Sequence, residues 1–192
     1  QATKAQHNCK QWHNERRFRI TSSRIGEILA ATCRRDMDKL CESVYSIAPI
    51  IAPFLSHGQK YESVALQQFA QKYHLKLQKI GLVISTETPY LAASPDAVIV
   101  DIDAIVEAKC PYTGREEKIT PGKNFSFLQY GKDGEMHHKY FAQIQSQLGI
   151  CKRKKCFFVV YTHSDLFVQE IHFDKEYGTE VNHSIKQYLD FF

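Results

Sequence analysis

Ser94-Pro95-Asp96 and Glu107-Ala108-Lys109 are the residues whose types and spacing can do chemistry in this chain. Between them, Asp101-Ile102-Asp103 reads as a tight turn that folds Asp96 back beside Glu107. Glu107 and Lys109 stand two apart, so on a strand both side chains leave the same face. Two carboxylates and one ammonium then meet at one end of a hairpin. Close carboxylates repel, which raises one pKa unless a cation intervenes. A hard divalent ion such as Mg2+ takes oxygen ligands and can bridge both acids, and Mn2+ is expected to substitute for it. Such an ion polarises a phosphate oxygen and lowers the pKa of a bound water. Asp96 and Glu107 are therefore candidate metal ligands, with the backbone carbonyl of Ala108 as a further one. Lys109 can orient or deprotonate the attacking water, or offset charge in the transition state.

The same short pattern also arises as an exposed ion pair on a strand edge. Two details favour chemistry. Glu107 and Lys109 stand among the apolar residues Ile105, Val106 and Ala108. Glu62 also borders the apolar face of a helix, where a carboxylate needs a partner or a task. It is a candidate outer or second-metal ligand.

The elements that must position these residues are legible in outline. Thr21-Ser22-Ser23 offers N-cap hydroxyls ahead of a helix with Ile25, Ile28 and Leu29 on one stripe. A second helix is expected over 37–47. A third runs over 58–73, where Tyr61, Ala65, Leu66, Phe69 and Tyr73 share a face. Strands are expected over 80–85, 97–100 and 104–108, the last two covered on both faces. A short strand over 125–130 turns at Gly131-Lys132-Asp133-Gly134. A helix follows over 138–150, with Tyr140, Ile144 and Leu148 on one stripe, then strands over 156–162 and 166–173 and a closing helix from Asp174. This order gives an α/β (α+β) fold, a central mixed β-sheet flanked by helices.

Length and composition set the bounds. A chain of 192 residues holds one domain with a full core, here taken as 1–192. Hydrophobic residues are 43% and charged residues 24%, a globular balance that argues against long disorder. No apolar run approaches the roughly 20 residues that span a bilayer, so no membrane partner is expected. Six cysteines, at 9, 33, 41, 110, 151 and 156, form no CxxC pair. Reduced thiols in an intracellular protein are the expectation, nuclear if the host is eukaryotic. No Cys or His pairs stand at zinc spacings. A net charge of +4 permits nucleic acid without demonstrating it. Lys152-Arg153-Lys154-Lys155 and Arg34-Arg35 read as solvated turns or as phosphate grips. Trp12 and Phe18 read as base-stacking rings or as anchors of an N-terminal helix.

Several blocks in order carry a family resemblance: 16–23 (Arg-Arg-Phe-Arg-Ile-Thr-Ser-Ser), Gly58-x-x-x-Glu62, Ser94-Pro95-Asp96-Ala97, Glu107-Ala108-Lys109-Cys110-Pro111-Tyr112 and Tyr140-Phe141-Ala142-Gln143-Ile144-Gln145. Together they resemble the PD-(D/E)xK nucleases, within them the lambda exonuclease and YqaJ viral recombinase branch, over roughly 12–173. The resemblance implies a restriction-endonuclease-like core and a divalent-metal-dependent deoxyribonuclease. A 5′-to-3′ exonuclease on double-stranded DNA ends, in recombination or mobile-element processing, fits it best. It implies that Asp96 and Glu107 bind the metal directly and Glu62 directly or through water. Lys109 would position the nucleophilic water. Gln143 and Tyr140 would contact the scissile strand or steady Lys109. Arg16, Ser23 and Ser94 would hold a 5′-phosphate, with Arg17 and Arg19 as further candidates; a guanidinium and hydroxyls at a helix N-terminus suit an anion. The segment 115–137 departs from the phage enzyme and looks more like YqaJ-type domains. Partners implied are double-stranded DNA ends, a single-strand annealing or recombinase protein, and further copies of the chain. A structure-selective endonuclease on DNA or RNA and a non-catalytic DNA-binding module remain open alternatives.

Overall fold

Apolar residues cover both faces of one five-stranded sheet, and that coverage organises the molecule. The computed structural model describes residues 2–30, 53–125, 127–130, 136–137 and 140–190. The expected helix over 37–47 and Arg34-Arg35 lie outside the described residues. The elements are α1 (Lys10–Arg17), β1 (Ile20–Thr21), α2 (Ser22–Leu29), α3 (Pro53–Tyr73), β2 (Leu77–Gln78), β3 (Val83–Ile84), β4 (Leu91–Ala93), β5 (Ala97–Ile99), β6 (Ala104–Lys109), β7 (Gln129–Tyr130), β8 (Met136–His137), α4 (Phe141–Cys151), β9 (Lys155–Tyr161), β10 (Leu166–His172) and α5 (Lys175–Leu189).

The main sheet has the order β10-β9-β6-β5-β2, with β6 parallel to β9 and the other pairs antiparallel. Period-two alternation sorts β6 between two layers. Ala104, Val106 and Ala108 pack with Ala65, Leu66 and Phe69 of α3. Ile105 packs on the opposite side with Ile144 and Leu148 of α4 and Phe158 of β9. Glu107 and Lys109 share the Ile105 side, so they emerge toward α4. A third cluster joins Ile25 and Ile28 of α2 to Leu91 and to Val181, Ile185 and Tyr188 of α5. The mixed α+β reading therefore holds.

Several boundaries differ from expectation. Helix α3 is described from Pro53, ahead of the expected start at Gly58. The expected strand over 80–85 shrinks to Val83–Ile84. The N-terminal segment satisfies the backbone ahead of it instead: Gln6 Nε2 donates to Ile80 O at 3.2 Å, and Leu82 N to Thr3 Oγ1 at 2.9 Å. Gly81 permits this approach, since a Cβ there would lie 2.1 Å from Thr3 Oγ1 and 2.8 Å from its carbonyl carbon. Tyr140 caps α4 rather than lying inside it. Phe125 and Leu128 are buried in a loop, with Phe125 bridged to Pro121, and Gln129–Tyr130 pairs with Met136–His137.

A second sheet, β1-β4-β3, was not anticipated. Its strands are only two or three residues long, too short for alternation to register. The expected turn 101–103 is present, with Asp101 at φ 69° in the left-handed region that Asp tolerates.

Candidate active site

Asp96 lies just ahead of β5, and its backbone N donates to Val106 O at 3.1 Å, which extends the hairpin by one residue. Its carboxylate folds over the neighbouring strand, and Oδ2 accepts from Ala108 N at 2.7 Å. Asp96 and Glu107 are both buried. Lys109 Nζ donates to Glu107 Oε1 and sits 4.6 Å from the Tyr140 ring centroid. Helix α4 supplies the remaining partners: Gln143 Nε2 donates to Glu107 Oε1 at 2.6 Å and Gln147 Nε2 to Oε2 at 2.8 Å. Both Glu107 oxygens are thus held, and the side chain is fixed by two elements rather than one. Glu62 reaches the same region from α3, with its carboxylate 3.9 Å from Lys79 Nζ.

Three carboxylates around one lysine give the group an electrostatic imbalance. Burial raises the Asp96 pKa well above its usual range, and Glu107 and Glu62 push the same way. Glu62 is also raised, by burial first and then, against Lys79, by Glu107. For Lys109, burial acts downward, but Glu107 and Asp96 outweigh it and the pKa rises. Lys109 therefore stays a cation. Cys110, next on the strand, is held near 12 by burial and by Asp96 and Glu62, so it is an inert thiol.

A second cluster forms where α1 meets the start of α2. Arg16 Nη2 lies 3.4 Å from both Thr21 Oγ1 and Ser23 Oγ, and those hydroxyls lie 3.1 Å from each other. The guanidinium stacks on Trp12 at 4.1 Å, and Trp12 Nε1 donates to Ser94 Oγ at 2.9 Å. Arg16, Ser23 and Ser94 are thereby tied together, beside the Pro95-Asp96 turn. Burial lowers the Arg16 pKa to about 10, Arg24 adds to this and Glu107 opposes it. A partly desolvated guanidinium facing hydroxyls is suited to an incoming anion. The alternative Arg19 is committed elsewhere, to Glu15 at 2.6 Å and Pro89 O at 3.1 Å.

Residues 11–154 match the family model of the YqaJ-like viral recombinase domain. The chain belongs to that family. The alkaline exonuclease LHK-Exo from Laribacter hongkongensis has a similar fold, with a TM-score of 0.74 at 22% identity over 94% of this chain and 91% of that one. A phage-related exonuclease from Haemophilus somnus 129PT aligns with a TM-score of 0.54 at 12% identity over 93% of each chain. A putative exonuclease from Eubacterium rectale gives 0.51 at 13% identity over 93% of this chain and 81% of that one. No curated protein matches the chain.

Within this YqaJ-like domain the structure brings Asp96, Glu107, Lys109, Gln143 and Tyr140 together, with Glu62 at the margin. One expectation needs correction. Thr21 precedes α2 as its cap residue but makes no side-chain cap hydrogen bond, because its hydroxyl faces Arg16 and Ser23. Gln143 holds Glu107, the carboxylate to which Lys109 also donates, and the Tyr140 ring lies beside Lys109. Among the described residues no three His, Cys, Asp or Glu side chains converge as a complete ligand set. Glu62 leans toward Lys79, and Glu107 is spanned by Lys109 and two amides. The oxygen donors are thus the Asp96 and Glu107 carboxylates with the strand backbone between them.

Sequence reasoning missed Gln147, the Arg16–Thr21 contact and the Trp12–Ser94 link. Gln147 had a readable signal. It stands four residues after Gln143, on the same face of the helix, where a buried amide needs a polar partner. The basic turn after α4 proves largely paired: Lys152 with Glu87, Arg153 with Asp103 and Lys155 with Glu170.

Proposed function

We propose that this chain is a divalent-metal-dependent exodeoxyribonuclease that degrades double-stranded DNA from 5′-phosphorylated ends in recombination or mobile-element processing. Membership of the recombinase family supports a DNA exonuclease. The observation that carries the finer reading is the joining of the Asp96–Glu107–Lys109 group to the Arg16–Ser23–Ser94 cluster through the Pro95-Asp96 turn and Trp12. A structural neighbour, LHK-Exo, is also known in complex with dAMP, which fits a nucleotide-sized site on this fold.

Asp96, Glu107 and the Ala108 carbonyl would hold the cation, Mg2+ or Mn2+, with Glu62 directly or through water. The donor set fits: it is all-oxygen and hard, and burial beside Glu107 and Glu62 makes an ionised Asp96 costly unless a cation joins it. When bound, the cation supplies charge to a phosphate oxygen and acidifies a water. The chain's own residues do the rest. Lys109, held protonated by Glu107 and Asp96, directs its ammonium at the attacked phosphate and offsets charge there. Gln143 and Gln147 keep Glu107 in one rotamer. Arg16 with the Ser23 and Ser94 hydroxyls receives the terminal phosphate, which sets the register of cutting.

The test uses end-labelled linear duplexes with and without a 5′-phosphate, alongside closed circles, in Mg2+, Mn2+ or EDTA. Cutting of phosphorylated linear DNA that needs metal and is lost in Lys109→Ala and Asp96→Ala is expected. Efficient cutting of closed circles would overturn the exonuclease assignment. A chain that binds every DNA form yet cuts none would overturn catalysis.

A further inference from the structure

The loop that leaves the site strand carries a group of rings with no task in the reaction above. Tyr112 follows Lys109 by way of Cys110 and Pro111, and its ring meets His57 of α3 edge-on, with centroids 5.6 Å apart. His57 lies 4.6 Å from Tyr61 and 5.7 Å from His163, and Tyr61 lies 4.7 Å from His163. The rings therefore come from α3, the loop after β6 and the β9–β10 turn. Cations flank them: the Arg115 guanidinium lies 4.4 Å over Tyr112 and the Lys60 ammonium 5.1 Å over Tyr61. Glu116 is taken by His163 at 2.9 Å and Arg115 at 3.7 Å. Burial, His163, Arg115 and Lys60 together lower the His57 pKa against Glu116, which leaves a neutral ring at neutral pH.

Rings recruited only as packing would be covered. Tyr112 is 41% exposed instead, with the Arg115 guanidinium over its ring. We propose that this cluster is a stacking subsite for unpaired bases of a DNA strand beside the hairpin site. Aromatic faces accept any base, and flanking arginine or lysine holds the backbone between stacked bases. Position supports this occupant. Tyr112 continues the strand that bears Lys109, and Tyr61 immediately precedes Glu62. A base seated here thus belongs to a nucleotide close to the one whose phosphate meets the site. The proposal rests on the nuclease reading for that neighbour.

Binding in EDTA tests it with the intact chain and no cleavage. Fluorescence anisotropy would compare a labelled oligothymidylate with the same strand carrying abasic positions, which keeps every phosphate. Stacking is worth about 1–3 kcal/mol per base, so tighter binding of the base-bearing strand by about tenfold is expected. Tyr112→Ala should erase that preference and Tyr112→Phe should keep it. Equal affinity for both strands, or an unchanged preference in Tyr112→Ala, overturns the subsite and leaves the rings as packing. The abasic comparison needs no variant, so misfolding cannot mask the result. A chain that stacks bases but never cuts would sink only the nuclease reading. A chain that cuts while ignoring the bases would sink only the subsite.

Discussion

Asp96→Asn should make the metal-free protein more stable and abolish its activity. In the folded chain Asp96 is buried against Glu107 and Glu62, so ionising it is costly and its pKa is raised. Asparagine keeps an acceptor for Ala108 N, which now lies 2.7 Å from Oδ2, and removes one of the mutually repelling charges. Relief of such strain at a functional site gives about 0.5–2 kcal/mol. For a chain of this size that is roughly 1–8 °C in Tm. The sign with pH follows from linkage. A carboxyl with a raised folded pKa favours folding while protonated and loses that contribution as pH rises through the folded value. Asparagine cannot ionise, so its advantage should be greatest at pH 8 and shrink as pH falls toward the unfolded aspartate value of about 3.9. Urea unfolding in EDTA at pH 8 and pH 5 measures both terms. Added Mg2+ should stabilise the parent and leave Asp96→Asn nearly unchanged. If Asp96→Asn is less stable than the parent at pH 8 in EDTA, or gains stability on acidification, the charge argument is wrong.

Gln147→Ala would strip Glu107 Oε2 of its buried donor. A cost of about 2 kcal/mol is expected from a hydrogen bond to a charged group, read as a lower urea midpoint with reduced cutting. Arg16→Gln should reduce the preference for 5′-phosphorylated over 5′-hydroxyl ends by about tenfold, the scale of one charge-assisted contact. Paired end-labelled substrates would show it, and an unchanged ratio would remove Arg16 from end recognition. Phe158→Ala, at a fully buried position under Tyr140 and Ile105, should cost about 3–5 kcal/mol in thermal or urea unfolding.

Long periodic segments were the legible part of the fold. The β5–β6 hairpin, the β9–β10 pair and the stripes on α2, α3 and α4 all show their core faces in sequence, because burial repeats at their own period. The β1-β4-β3 sheet was not legible, since its short strands present buried runs with no period. At the site, the spacing of Glu107 and Lys109 predicted a shared face, and the turn returned Asp96 beside them. What spacing could not convey was the third dimension. Gln147 meets Glu107 only because β6 lies beneath α4, and Trp12 meets Ser94 only because α1 folds across that turn. Arg16, Arg17 and Arg19 are alike in sequence, and only packing separates the one that faces hydroxyls from the one locked to Glu15.

The parallel pairing of β6 with β9 bears on when the chain becomes able to cut at all. Ala104 aligns with Lys155 and Lys109 with Val160, so this ladder closes only after the whole of α4 has been placed. Parallel pairing over such a span is slow to form, because the loop must be ordered before the contacts that stabilise it exist. Until then the β5–β6 hairpin presents Glu107 to water without its two amides. A nascent or partly unfolded chain therefore carries Asp96, Glu107 and Lys109 without the packing that assembles them. On the proposed mechanism, completion of the fold would be the enabling step for hydrolysis.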